Sequence, residues 1–466
     1  MDLRPGAIHQ GRRGQACIVT HAVRARPSAP RKITLVPLVA ATYFMVSGGP
    51  FGLEDIVSRS GYAGAIAILL VTPLVWSLPS ALMVSELASA VPAQGGYYVW
   101  VSRALGPFWG FQEAWLSLVG SIFDMAIYPT LFVGYLEHFA PAMTAGGRGL
   151  WIGVALIAAA AAWNMLGAKT VGGSSVAIGV VLLAPFLVLT VYAFFHRSAP
   201  GGHTVPLRNV DFLGGILVSM WNYMGWDNAS TVADEVDRPQ RTYPRAMAAT
   251  VLLVALTYAL PIGAVALTGF DANRWSTGGW ADVSRAILPH GAAGEGLAAA
   301  ITIVGMVSAW GSLNALTMSY SRLPAVLADD GFLPRIFARR HPRTGAPWAA
   351  IIACAIAWAL CLNLTFVKLI VLDVLLTGLS ILLEFAALAA LRIREPAIER
   401  PYRVPGGLAG AIGIAVLPVA LLVLTVVRND VEPVGPINAL QLGFILIAAG
   451  VVAYFVGGWF RQHDHR

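Results

Sequence analysis

Three carboxylates stand where a carboxylate is costly. Glu54, Asp124 and Asp227 each lie in or beside a long apolar stretch, with no lysine or arginine at the same depth. An ionised side chain at a bilayer centre costs at least ~2.5–3.5 kcal/mol on insertion scales, so such groups usually line a pathway. Acidic groups without basic partners suit two kinds of chemistry: holding a cation, or carrying a proton. The competing reading for each is a carboxyl that only caps unwound backbone. Aromatic residues accompany them. Tyr128 follows Asp124 by one turn, and Trp221 and Trp226 bracket the approach to Asp227. An aromatic face contributes ~2 kcal/mol or more toward a desolvated cation. Trp310 is a further candidate on a later stretch. For each tryptophan, simple packing is the alternative.

Two glycine-containing interruptions position these groups. The first, Ser47 to Asp55, reads SGGPFGLED, and Gly48, Gly49 and Gly52 permit backbone geometries that other residues resist. Pro50 removes a donor and blocks helix continuation. The second interruption runs through Tyr223-Met224-Gly225-Trp226-Asp227-Asn228 to Ser230. Unwound backbone at membrane depth is tolerated only where protein buries it or it lines a watery cavity. Paired breaks of this kind point to a binding site at the bilayer midplane. The site residues expected from sequence are therefore Gly48, Gly49, Phe51, Gly52, Glu54, Asp124, Tyr128, Trp221, Trp226, Asp227, Ser230 and Trp310. Glu54 and Asp124 are the proton-carrying candidates. The carboxylates Glu54, Asp124 and Asp227 are expected to converge on one site.

Composition agrees with a membrane chain. Hydrophobic residues make up 57% and charged ones 12% of the 466 residues, against about 25% charged in soluble domains. Mean hydropathy is +0.70. Roughly 20 apolar residues cross a hydrocarbon core, and about twelve such segments fall between residues 33 and 460. The first broken segment is 33–58 and the sixth is 211–235. Five segments separate the two breaks, so the two units run with opposite topology. Most of the 31 Lys and Arg lie on one side of this arrangement, which places both termini in the cytoplasm. The basic charge is then a topology signal, and nucleic acid is not implied.

Three cysteines cannot build a disulfide framework. No phosphate-binding Gly-x-x-x-x-Gly-Lys-Ser/Thr loop occurs, so an ATP-driven pump is disfavoured, and neither a cofactor nor a metal site is implied. The expected organisation is a disordered cytoplasmic tail over 1–31, a ten-helix core over 32–405, and two further spans with a short tail over 406–466. Other acidic residues receive no primary role. Glu86 and Glu384 fall near cytoplasmic ends and are expected to pair with Arg103 or Arg392. Asp55 is expected to pair with Arg59, Glu113 lies on a candidate proton exit path, and Asp373 is left unassigned.

Several stretches carry a family likeness: SGGPFGLED at 47–55, GGYYVWVSRALGPFWGFQ at 95–112, DMAIYP at 124–129, WDNAST at 226–231, LEFAA at 383–387 and RPYRVP at 400–405. Over about residues 33–405 the chain resembles the amino acid–polyamine–organocation superfamily, and within it the polyamine–proton symporter branch. The resemblance implies an all-α LeuT-like fold, a five-plus-five inverted repeat with helices 1 and 6 broken. It implies a secondary transporter in the plasma or inner membrane. Sodium-coupled relatives use paired hydroxyls on segment 8, where this chain has Ser308 and Ser312 one turn apart. Some proton-coupled relatives place a lysine in segment 5. Here the nearest is Lys169, which precedes that segment. The expected function is proton-coupled import of polyamines or related organic cations. The alternative is an amino-acid permease for neutral or cationic amino acids. The partners are thus a small cationic or zwitterionic substrate, a coupling proton and the lipid bilayer.

Overall fold

The computed structural model describes residues 33–93, 95–166, 175–197, 211–230, 236–288, 291–428, 433–434 and 437–464. The expected tail at 1–31, Lys169 and Thr231 lie outside the described residues. The helices are α1 (Leu35–Val46), α2 (Glu54–Thr72), α3 (Leu78–Ala90), α4 (Gly96–Leu105), α5 (Pro107–Phe139), α6 (Pro141–Thr144), α7 (Arg148–Met165), α8 (Ser175–Phe195) and α9 (Phe212–Asn222). They continue as α10 (Pro239–Ala266), α11 (Trp280–Ile287), α12 (Ala292–Tyr320), α13 (Arg322–Asp329), α14 (Trp348–Leu360), α15 (Phe366–Arg394), α16 (Gly407–Arg428) and α17 (Ala439–Asp464). A two-residue antiparallel pair, Pro433–Val434 with Ile437–Asn438, precedes α17.

Among the described residues, 8 helical stretches are long and apolar enough to cross a membrane. Shorter apolar helices include Leu35–Val46, Gly179–Phe195 and Trp348–Leu360. Of the four expected segments outside these eight, the first and sixth are interrupted, so neither offers one long helix, and the other two are the shorter helices Gly179–Phe195 and Trp348–Leu360. The stretch from α2 to α3 turns at Gly61 (φ 65°), which separates the outer half of the first segment, Glu54 to Ser60, from the span that follows.

The bundle is apolar outside as well as inside. Leu252, Leu256 and Leu260 recur at helical spacing on α10 and are exposed, as are Val180, Val181, Leu187 and Val188 on α8. Within its mostly hydrophobic interior the bundle also holds Glu54, Glu113, Asp124, Asp227, Asp373 and Glu384, all buried. Hydrocarbon is as apolar as leucine, so close packing and internal hydrogen bonds hold such helices together. The pairs α5–α15 and α5–α12 have the most extensive contacts. Gly106 (φ 101°) and Pro107 open α5, a start that wastes no hydrogen bond because first-turn amides lack helical partners. With 33 residues, α5 is about 50 Å long and overreaches a ~30 Å hydrocarbon core.

The chain just before α1 meets the chain just before α10. Ile33 and Val236 form an isolated parallel bridge, and the amide of Asp237 donates to the Ile33 carbonyl at 2.9 Å. Buried Glu86 accepts from Arg392 Nε at 2.8 Å and from the Val404 amide at 2.7 Å, with Arg400 3.4 Å away. This anchors α3 to the end of α15, and the Glu86–Arg392 pair is as expected. Arg103 instead takes Glu395, at 2.6 Å. That bond from the Arg103 guanidinium holds the Glu395 carboxyl below the usual glutamate range. A lowered carboxylate adds stability above its unfolded value and loses it as pH falls. Arg103→Gln is therefore expected to cost less than about 1 kcal/mol near neutrality, since the pair is exposed. The difference from wild type is expected to vanish in acid, as thermal unfolding over a pH series would show.

Candidate functional site

Both interruptions are stretches of unwound chain whose freed backbone groups find side-chain partners. Between Val46 and Glu54 the chain passes through Gly48 (φ 64°), Gly49 (φ 112°) and Gly52 (φ 79°). The Gly48 carbonyl accepts from Ser308 Oγ on α12. The Pro50 carbonyl accepts from Trp280 Nε1 on α11 at 2.8 Å. In the second interruption, α9 stops at Asn222 and a single tight turn covers 227–230. There Tyr258 and Tyr243, both on α10, donate to the carbonyls of Asn222 and Ala229 at 2.9 and 2.7 Å. Buried carbonyls that leave a helix must be satisfied in this way. The two interruptions touch: a Cβ on Gly225 would lie 2.6 Å from the Met45 carbonyl oxygen.

A cavity of about 30 Å³ sits where they meet, lined from the first by Met45 and Ser47 and from the second by Trp221, Met224 and Asn228. Helices α5, α12 and α15 close it with Asp124, Tyr128, Ser312, Tyr320, Asp373 and Thr377. Asp124 Oδ1 accepts from Trp221 Nε1 at 3.1 Å and Oδ2 from the Tyr320 hydroxyl at 3.2 Å. Thr377 donates to Asp373 Oδ1 at 2.8 Å. The rings of Tyr128 and Trp221 are 6.2 Å apart. Two carboxylates and four aromatic side chains, Phe44, Tyr128, Trp221 and Tyr320, with no lysine or arginine among the described lining residues, make this a place for a cation.

The sequence candidates divide into three groups. Asp124, Tyr128 and Trp221 line the cavity. Gly48, Gly49, Phe51, Gly52 and Glu54 build the first interruption and the layer beyond it. Phe51 packs edge-on against Phe186 and Tyr135, ring centres 5.0 and 5.3 Å away. Glu54 is fully buried, accepting from the Tyr135 hydroxyl at 2.6 Å and the Gly278 amide at 3.3 Å, and so ties the helix start to the loop before α11. Trp226, Asp227 and Ser230 form the third group. Trp226 Nε1 turns back to the Tyr223 carbonyl at 2.7 Å. Asp227 Oδ1 and Ser230 Oγ are buried without hydrogen-bond partners. Trp310 is half-buried on α12 and packs against the core. Glu54, Asp124 and Asp227 thus do not converge: Asp124 alone of the three lines the cavity, and its carboxylate companion there is Asp373.

Asp373 was legible as a buried acid in an apolar helix with a threonine four residues on, and it received no role. Asp55 does not pair with Arg59 through a salt bridge. It accepts from Thr277 Oγ1 at 2.8 Å, while Arg59 reaches Asp211 at 2.6 Å. Glu384 pairs with neither Arg103 nor Arg392. Both of its carboxyl oxygens are buried without a hydrogen-bond partner. Ser308 and Ser312 both face the first interruption: Ser312 lines the cavity, and Ser308 is spent on the Gly48 carbonyl.

Comparison with known sequences places these features. A family model described as "Amino acid permease" matches residues 39–451. The chain is 35% identical over 431 residues to polyamine transporter PUT1 of Oryza sativa subsp. japonica, covering 90% of this chain and 78% of that one. It is 32% identical over 424 residues to polyamine transporter RMV1 of Arabidopsis thaliana, covering 89% and 84%. It is 27% identical over 345 residues to the serine/threonine exchanger SteT of Bacillus subtilis, covering 71% and 75%.

Proposed function

Because the chain belongs to the amino acid permease family, and is a multi-pass membrane transporter rather than an enzyme, we propose that its cargo is a polyamine or a related organic cation. The observation that carries this reading is the cavity between the interruptions, where Asp124 and Asp373 meet aromatic walls and, among the described residues, no basic side chain. The similarity to polyamine transporters over most of the chain supports the same cargo.

The carrier reading goes further. The chain is proposed to have twelve spans in a LeuT-like five-plus-five arrangement, to sit in the cell membrane with both termini cytoplasmic, and to couple uptake to protons. At about 30 Å³ the cavity has room for roughly two waters. A diamine enters only when the surrounding helices move, which fits alternating access rather than an open channel. On the outer side, the Trp280–Pro50 and Glu54–Gly278 bonds are the contacts that outward opening breaks.

Uptake of labelled putrescine, spermidine, arginine and leucine into proteoliposomes tests this. The expected result is accumulation of putrescine and spermidine under an inward proton gradient without sodium. Leucine uptake without amine uptake would overturn the cargo. A sodium requirement would overturn proton coupling and shift attention to Ser312 and the carbonyls of the first interruption.

A further inference from the structure

Below the cavity, on the cytoplasmic side, α5 and α15 share a second set of polar groups. Ser117 and Ser380 face each other across the pair, their hydroxyl oxygens 2.8 Å apart. Both also reach Glu113 Oε1, each at 2.9 Å. One turn further along α15 from Ser380 stands Glu384, fully buried, with neither carboxyl oxygen hydrogen-bonded, and Glu113 Oε2 is likewise unpartnered. Along α15 this set continues from Asp373 and Thr377 in the cavity wall to Ser380 and then Glu384, each three or four residues from the last and so on one face.

Among the described residues, no salt bridge reaches Glu113 or Glu384. The titratable groups that act on Glu384 and Glu113 from packed neighbours are Asp227 after α9 and Tyr97 on α4. Glu86 on α3 is already engaged by Arg392 and Arg400. An uncompensated buried charge is strongly destabilising, so these carboxyls need a positive partner from outside the chain. Neither Glu113 nor Glu384 lines the cavity, and an alkylammonium needs a cavity. A proton does not. Ser117 and Ser380 have two protons for three hydrogen-bond contacts, so their hydrogen bonds can reverse direction without movement of a heavy atom.

We propose that Glu113, hydrogen-bonded by Ser117 and Ser380, and Glu384, one turn beyond Ser380 on α15, form an inner proton station that passes the coupling proton between the cavity and the cytoplasm. The cavity side delivers a proton to Glu113 through the serine hydroxyls, each of which accepts one proton and donates another. Glu384 gives up a proton to cytoplasmic water and takes the replacement from Glu113. No group is changed at the end of a cycle, and one proton has crossed. The station rests on the proton-coupled carrier reading above, and its test separates the two.

The test uses the full chain in lipid, as wild type, Glu384→Gln, Glu113→Gln and Ser380→Ala. The infrared carbonyl band of protonated carboxyl groups, followed as pH is raised, needs no substrate. A pH-dependent part of that band is expected in wild type and expected to be lost in Glu384→Gln and Glu113→Gln. Putrescine accumulation under a proton gradient is expected to fall to the gradient-free level in both, while putrescine exchange at equal pH persists. Ser380→Ala, which keeps both carboxyls, is expected to keep the band and slow accumulation. It serves as the second variant where a glutamine form does not fold. An unchanged band in the glutamine variants, full accumulation in the folded variants, or equal loss of accumulation and exchange would overturn the station. A lost band with no putrescine transport by wild type would sustain the station and sink only the polyamine reading.

Discussion

Converting Asp124 to Asn is expected to raise the dissociation constant for putrescine about 10- to 150-fold, the equivalent of one lost charge-assisted contact of ~1.5–3 kcal/mol. The substitution keeps an oxygen to accept from one of Trp221 and Tyr320, which both donate to Asp124, so the site's shape is retained while its charge falls. Asp373→Asn is expected to act similarly. The double variant should lose less than the sum of the two if one ammonium bridges both carboxylates, because residues sharing a partner are not additive. Titration calorimetry on the purified protein measures all three. Unchanged affinity in both single variants would remove the cavity from substrate recognition. Asp227→Asn provides the contrast: Asp227 does not line the cavity, and a smaller effect is expected there.

Gly225→Ala is expected to abolish transport and lower the melting temperature. Gly225 has φ 90°, where an L-residue is strained by ~1–2 kcal/mol. Its new Cβ would lie 2.6 Å from the backbone oxygen of Met45. A backbone atom cannot rotate away as a side chain can, so the two interruptions must separate, and forcing atoms into a packed interior costs typically ~1–3 kcal/mol more. Gly263→Ala is the control. It lies within α10 with nothing within 4 Å of the added carbon, and no loss is expected. Wild-type uptake and stability in Gly225→Ala would mean that close approach of the two interruptions is dispensable.

Glycine and proline made the interruptions readable, because their backbone restrictions are local and visible in the chain itself. The burial of the acids was equally readable, since apolar flanks announce it. Their grouping was not. Asp124 meets Asp373 because α5 and α15 pack at a particular register, and nothing within either helix specifies that register. Glu54 is held by Gly278, far along the chain, so that tie could not be read from its own neighbourhood. Trp221 and Trp226 look equivalent in sequence. The chain leaves its helix at Asn222, so the first still projects from α9 into the cavity while the second folds back on the Tyr223 carbonyl. Helix number was blurred by the same interruptions that made the site legible.

The parallel bridge between Ile33 and Val236, with its bond from the Asp237 amide, has a mechanical consequence. Two levers that could each swing alone are riveted at their inner tips by main chain, which no rotamer change can release. A torque applied to one stub is delivered to the other, so, in the alternating-access carrier proposed above, a door at this end would have a single leaf. Displacing one stub with the other at rest would first have to break that rivet, so the carrier proposed above is expected to move both stubs together.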